Sequence, residues 1–371
     1  MNEDNKNENN KKEIKAKEEM NIVEYPFQYL GFKVPPTVKT VEWHGETVTK
    51  DGVVRQASWI VTGSDKRGLP RYKDRDVLLA LLYFWKLQGF QSETLYIKSI
   101  NDILRVLRWP KSSATYKELE DSLDRLVGVT IEAKYSFWDN RTKDYLPAIT
   151  FHLLNYYKFT KEGKRISLTV EAGKHFWESI KSGYIKTVDL DFYLSLETPL
   201  AKALFSYLDK KAYQNDKFKI EIMKLAMHLG ISLSREYKRI KFDIKETANL
   251  LVVKGFLDSY KIEKEGETEF ITFYFNREYL TRDVLEQVKE REEKINYLVE
   301  LMKRELGDGS IETYERIARY YPEEFIYRAL GEIREKSRNS DLDISRYRLF
   351  KKILKNYIKQ QIAILRKNLD I

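Results

Sequence analysis

The feature that most limits how this chain can fold is an order of elements that occurs twice. Val77, Leu78, Leu81, Leu82 and Trp85 recur at helical spacing and predict an apolar helix over 76–90. Leu95-Tyr96-Ile97 leads into a second helix, 100–107, which Trp109-Pro110 ends because proline disfavours helix in the residue before it. A third helix over 112–126 carries Leu119, Leu123 and Leu126 on one face. A hairpin is expected next, 129–138 with 145–154, turning at Asp139-Asn140. About 120 residues further on, the order returns, a period too long for a solenoid and suited to a duplicated domain. There, a helix spans 199–212, and Phe218-Lys219-Ile220 leads into a second that ends at Leu229-Gly230. A third runs from about 235 to 254, with Gly255 placed as its C-cap. A hairpin, 257–263 with 269–275, turns near Gly266.

Three helices followed by a hairpin is the winged-helix order. The fold class expected is therefore α+β: two tandem winged-helix domains followed by an all-α C-terminal domain. Residues 1–20 are Asn, Lys and Glu with almost nothing to bury, so they are expected to form a disordered arm. Residues 21–195 make the first winged-helix domain. It opens on an aromatic, proline-containing segment from Tyr25 to Pro36 and a hairpin, 38–48 with 53–62, turned by Lys50-Asp51-Gly52. It closes on a linking helix, 171–182, and a strand near 184–188. Residues 196–276 make the second winged-helix domain. Residues 277–371 read as helices over 283–306, 311–320, 322–336 and 345–368, the last of them basic.

Charge is concentrated at that end. The chain has a net charge of +9. Arg346, Arg348, Lys351, Lys352, Lys355, Lys359, Arg366 and Lys367 stand in one stretch without an acid, which leaves about +1 for all the rest. Any contact with DNA by the main body must therefore use local faces. Along 345–368, Leu349, Ile353, Leu354, Tyr357, Ile358, Ile362 and Leu365 form one apolar stripe. That stripe is expected to pack against helices 283–306 and 322–336 while its charge faces water.

Several chemistries lack their residues. The chain has no cysteine, which excludes disulfides, thiolate zinc sites and a cysteine nucleophile. Its four histidines, His44, His152, His175 and His228, show no metal-ligand spacing, so no metal or cofactor is expected. Gly63 and Gly68 have the spacing of a phosphate-binding loop, but Leu69-Pro70 stands where its lysine and hydroxyl should be. Asp189 and Asp191 suit surface or cap positions better than a metal site. No enzyme is expected. With no apolar run of membrane-spanning length and no signal-like start, a cytoplasmic protein is.

The chain resembles the replication initiator protein A family, within the plasmid Rep proteins that carry tandem winged-helix domains. The residues that carry the likeness are Gly68-Leu69-Pro70, Asp74 and the run from Asp76 to Leu82. Further on they are Tyr116, Leu119, Ser122, Leu123 and Leu126, and then Lys254-Gly255-Phe256-Leu257. The likeness spans roughly residues 21–276. It implies binding to repeats at a plasmid origin, local duplex opening and recruitment of the host replicative helicase. The alternatives are a tandem winged-helix repressor, which needs no long helical tail, and a module that binds protein partners.

The third helix of the second repeat is the expected base reader. Tyr237, Ile240, Ile244, Ala248 and Leu251 share its core face. Arg235, Lys238, Arg239, Phe242, Lys245 and Asn249 lie opposite. Arginine suits guanine, asparagine adenine and an exposed phenylalanine the thymine methyl, while Lys238 and Lys245 suit phosphates. In the first repeat the third helix exposes Ala114, Lys117, Asp121 and Arg125, among acids that repel phosphate. Its expected contacts are Lys117 and the wing residues Lys134, Arg141 and Lys143, with Arg71 and its neighbours Lys66, Arg67, Lys73 and Arg75 adding phosphate contacts. The first domain is also the one expected to support a homodimer. The second wing, with Glu263, Glu265, Glu267 and Glu269, is not expected to meet DNA.

Overall fold

The computed structural model of the chain describes residues 14–31, 33–213, 215–307, 309–339 and 345–368, without the side chains of 283–290, 335–339 and 360–368. The expected arm of residues 1–20 falls partly outside that range. The part within it is ordered: strand β1 (Lys15–Glu19) pairs antiparallel with a strand at 185–189 and leads into helix α1 (Met20–Glu24). Composition misled here because Glu18 and Glu19, polar by type, are buried with partners.

Strands β2 (Thr40–Val48) and β3 (Val54–Thr62) form the expected first hairpin, with Trp43 opposite Trp59. The segment before it lies over this sheet. Tyr25 and Phe27 are buried, Tyr25 stacks on Trp59 at 5.1 Å, and Trp59 donates its indole N–H to the Pro26 carbonyl at 3.1 Å. Helix α2 (Tyr72–Leu87) follows, then strand β4 (Thr94–Ile97), helix α3 (Ile100–Val106) and helix α4 (Ser113–Gly128). Ser112 starts α4 in a reciprocal cap with Thr115, which satisfies backbone N–H groups the helix cannot.

The chain then departs from expectation. Strands β5 (Thr130–Lys134) and β8 (Ile149–His152) do pair, but within the sheet β2-β3-β5-β8. The short pair β6 (Trp138–Asp139) and β7 (Asp144–Tyr145) caps the turn between them. The hairpin that joins β4 is a later one, β9 (Leu154–Glu162) with β10 (Arg165–Ala172), in the order β4-β10-β9. Gly163 turns it with φ of +61°, a conformation side chains with a Cβ resist.

Helix α5 (Lys174–Lys181), strand β11 (Ile185–Asp189) and helix α6 (Leu190–Ser195) lead to the second repeat. It consists of helix α7 (Pro199–Lys211), strand β12 (Lys217–Glu221), helix α8 (Ile222–Leu229), helix α9 (Tyr237–Val253) and the strands β13 (Leu257–Glu265) and β14 (Thr268–Phe275). Its sheet order, β12-β14-β13, matches β4-β10-β9 strand for strand. Thr198 and Pro199 start α7, the hydroxyl accepting from the Ala201 N–H at 3.1 Å. Gly230 ends α8 in the left-handed region at φ of +76°. A Cβ there would sit 2.9 Å from Pro26 Cβ, so the turn before α9 is pressed against the N-terminal segment.

Two compact units result, one ending at Tyr279 and the other beginning at Leu280, and both repeats fall in the first. Buried charge pairs tie the repeats together. Lys202 of α7 reaches both carboxylate oxygens of Asp76 on α2, at 2.7 and 2.9 Å. Glu18 of β1 accepts from Arg75 of α2 at 3.0 Å and pairs with Lys186 of β11 at 2.9 Å. Burial would raise the Glu18 carboxyl, but the charges and hydrogen bonds of Lys186 and Arg75 bring it down to about 2. Glu24 of α1 is opposed by burial in the same way. Lys210 and Lys211 of α7, with His228, outweigh that and hold it well below the ordinary carboxylate range.

The described elements of the second unit are helix α10 (Arg277–Leu306), of which residues from Leu280 belong here, α11 (Ile311–Tyr320), α12 (Glu323–Asn339) and α13 (Arg346–Asn368). Phe350, Ile353 and Leu354 of α13 are buried in one cluster with Leu298, Met302, Tyr314, Ile326 and Leu330, and α13 meets α12 through Tyr357 on Phe325 and α11 through Tyr347 on Tyr314. Arg346, Arg348, Lys351, Lys352, Lys355 and Lys359 are exposed. Ile362 and Leu365 lie among the side chains not described. No helix is long and apolar enough to cross a membrane among the described residues.

Candidate nucleic-acid interface

Helix α9 has one buried side and one open side. Ile240, Ile244, Thr247, Ala248 and Leu251 are buried, and each Ile so placed contributes about 1.5–3 kcal/mol. Lys238, Arg239, Phe242, Lys245 and Asn249 are exposed on the opposite side. Phe242 keeps 52% of its surface in water, an unfavourable place for phenylalanine unless something covers it. Arg239 lies over its ring, 5.3 Å from the centroid.

Two expectations for this helix need correction. Tyr237 is half-exposed rather than core, because it stands in the first turn and its hydroxyl donates to Glu269 of β14. Arg235 precedes the helix, in the turn after α8. It reaches forward to Asp243, 2.5 Å from Nη2 to Oδ2. The Asn249 Oδ1 accepts from the Tyr260 hydroxyl at 2.9 Å, which fixes the side chain beside β13. Glutamates of the second hairpin are engaged as well: Glu263 with Lys261, Glu265 with Lys219 and Glu269 with Lys241. Those pairs remove much of the negative field expected beside α9.

In the first repeat, three acids of α4 are paired by the segment before α2 and its first turn. Arg67 pairs with Asp121 and Asp124, and Arg71 and Lys73 pair with Glu118. Arg71 is therefore held by Glu118 at 2.8 Å instead of standing free for phosphate. Arg125 and Arg75 are buried, not exposed. Arg125 forms a two-bond pair with Asp74 at 2.6 and 2.7 Å, and Arg75 is bound by Glu18. Helical periodicity put Arg125 on the outside because it cannot see an acid supplied from 51 residues away. Lys117 is exposed.

Lys134, Arg141 and Lys143 are all exposed, but Lys134 belongs to β5 in the four-stranded sheet and Arg141 and Lys143 to the β6–β7 turn, and neither sheet contains β4. Arg141 folds back on Asp139, and Lys143 reaches Asn140 Oδ1 at 2.7 Å. The hairpin equivalent to β13–β14 is β9–β10, and it carries Lys158, Lys161 and Arg165, with Lys164 in its turn. All four are exposed. A signal for it existed in the sequence: two alternating runs either side of Glu162-Gly163-Lys164.

The four histidines and the aspartates Asp189 and Asp191 have structural partners. His152 faces the Val129 carbonyl, His228 the Glu24 carbonyl, His44 pairs with Glu42 and His175 with Glu178. Asp189 caps α6, accepting from the Phe192 N–H at 2.9 Å, and Asp191 accepts from the Ile14 N–H at 2.8 Å. Gly63 and Gly68 flank a closed turn, the Gly68 N–H bonding the Ser64 carbonyl at 2.7 Å. Among the described residues no cluster of His, Asp and Glu could hold a metal ion.

Comparison with known proteins gives one strong finding. The family model of replication initiator protein A matches residues 17–251. No curated protein sequence matches the chain. Two crystal structures of domains 2 and 3 of RctB, one a selenomethionine derivative, are 14% identical to it, with TM-scores of 0.43 and 0.40. They cover 66% and 65% of this chain and 94% of their own.

Proposed function

We take as premise that the chain belongs to the replication initiator protein A family, and we propose that it is a sequence-specific binder of double-stranded DNA that starts replication. Its targets are repeats at the origin of a plasmid or similar replicon. Its task there is to promote local opening and to bring in the host replicative helicase. The two helix–strand–helix–helix–hairpin repeats are winged-helix modules in this reading, and the protein is not an enzyme. It works in the cytoplasm beside its replicon, and its first module is the candidate for homodimer contact.

The observation that carries this reading is the open face of α9. A helix that buries Ile240, Ile244 and Leu251 yet leaves Arg239, Phe242 and two lysines uncovered presents the groups that a major groove accepts. Arg239 and Arg235 match guanine O6 and N7, and Phe242 matches the thymine methyl. Lys238 and Lys245, at the margins, suit phosphates and set register. In the first module the basic β9–β10 hairpin takes the backbone role. Lys158, Lys161, Lys164 and Arg165 add sequence-independent affinity that salt weakens.

The test is binding to duplexes carrying the replicon's own repeats, followed by maintenance of that replicon in cells. Arg239→Ala and Arg235→Ala are each expected to cost roughly 1–3 kcal/mol and to relax preference at one base position. Both are then expected to abolish maintenance. Wild-type binding by both variants would remove α9 from the reading surface. Specific binding together with maintenance that does not need the protein would make it a repressor.

A further inference from the structure

Two guanidinium groups, one in the turn before α9 and one in its first turn, meet an acid that the proposed DNA contact does not use. Asp243 stands one turn after Arg239, with its side chain only 19% exposed. Its Oδ1 forms an ion pair with the Nε of Arg239 at 3.2 Å, while its Oδ2 accepts from Arg235 at 2.5 Å. One carboxylate thus holds two guanidinium groups that come from different segments, a turn and a helix. Phe242 supports the face of Arg239 while Asp243 holds its edge.

This arrangement has a chemical consequence. Because Asp243 takes the Nε edge, the two terminal nitrogens of Arg239 remain available as a parallel fork. An unrestrained exposed arginine samples many rotamers, and much of that freedom is lost on binding. Here, part of that loss has already occurred on folding. The carboxylate also changes what the fork accepts. Two arginines without it would form a strong phosphate clamp. With it, the local charge falls by one and an approaching phosphate meets a fixed anion. A guanine edge offers O6 and N7 as paired acceptors and carries no net charge, so it is penalised far less.

We propose that Asp243 is a specificity residue that turns Arg235 and Arg239 from phosphate binders into readers of guanine, with Phe242 placed for the methyl of a neighbouring thymine. The assignment rests on α9 being the DNA-reading helix, and it makes a claim about Asp243 that this role alone does not. Removing a structural acid lowers all binding. Removing this one raises binding to the wrong DNA.

The experiment compares the full chain with Asp243→Asn, and with Asp243→Ala as a second variant should the first fail to fold. A pool of randomised duplexes is first selected on the wild type to define the preferred sequence. Affinity for that duplex and for its scrambled counterpart is then followed by fluorescence anisotropy across a salt series. Either variant is expected to bind the scrambled duplex more tightly, with a salt slope steeper by about 0.9. Its preference for the selected sequence is expected to fall about tenfold or more, the guanine position relaxing first. Equal weakening on both duplexes, or no change on either, would overturn the role of Asp243. Arg239→Ala runs alongside: if it leaves the preference intact, the fault lies with α9 as the reader and not with Asp243 alone.

Discussion

Lys202→Met is the most direct probe of what joins the two repeats. Lys202 and Asp76 are 6% and 5% exposed, and the ammonium also lies 5.0 Å from the Tyr193 ring and 5.7 Å from that of Tyr72. Methionine fills nearly the same volume, so packing is largely kept. What changes is that Asp76 becomes an unpaired buried carboxyl. Burial already pushes Asp76 above the ordinary aspartate range, with Lys202 opposing that shift. Without Lys202 its escape is to take up a proton. Starting from an ordinary pKa of about 3.9, that costs about 4 kcal/mol at pH 7. The figure agrees with the roughly 3–5 kcal/mol usual for breaking a buried pair. The proton becomes easier to obtain as pH falls, so the same substitution should cost only about 1.5 kcal/mol at pH 5. All six tryptophans, at 43, 59, 85, 109, 138 and 177, lie in the first unit, so urea unfolding followed by tryptophan fluorescence reports that unit alone. Asp76→Leu combined with Lys202→Met should recover most of the loss. A single variant that costs under about 1 kcal/mol at pH 7, or the same amount at both pH values, would refute the reasoning.

Glu24→Gln tests the second charged joint. Glu24 is held below the ordinary carboxylate range, so its stabilisation is complete above the unfolded value of 4.5 and is lost as pH falls toward its folded value. The wild type should therefore be more stable than Glu24→Gln at neutral pH, and the difference should close below about pH 4.5; a gap that widens in acid would contradict the assignment. In the first repeat, joint replacement of Lys161, Lys164 and Arg165 by alanine should weaken cognate and scrambled duplexes alike, with a salt slope shallower by about 0.9 for each phosphate left without its cation. Lys134→Ala with Arg141→Ala, on β5 and in the β6–β7 turn, should change binding less, and an equal or larger effect would return the backbone role to that region. A chain ending at Tyr279 should keep its preference for the specific repeat, bind nonspecific DNA less and fail to maintain the replicon. Loss of the preference would show that the second unit takes part in reading.

Much of the local structure was legible from residue order because it depends on neighbours in sequence. The starts of α4 and α7 are written in Ser112 and in Thr198-Pro199, and the first hairpin in Lys50-Asp51-Gly52. The apolar side of α9 was visible in Ile240, Ile244, Ala248 and Leu251, and that of α13 in Ile353 and Leu354. The duplication could be seen for the same reason, since each repeat restates its own period of helices and strands.

What the sequence could not decide were choices made between distant segments. The expected strands 129–138 and 145–154 left out the hairpin of β9 and β10, and the partner of β4, settled only when the sheets assemble, proved to be β10. The basic hairpin of the first repeat was displaced for that reason. Burial of charge is the other case. Glu18, Arg75, Asp76, Arg125 and Lys202 look like surface residues by type. Each is inside because an opposite charge from 51 to 126 residues away meets it there, and the cost of leaving water is met only by that partner. The same holds at the reading surface. The sequence placed Arg235 and Arg239 on one side of a helix, whereas only the folded turn after α8 could bring both to the single carboxylate of Asp243.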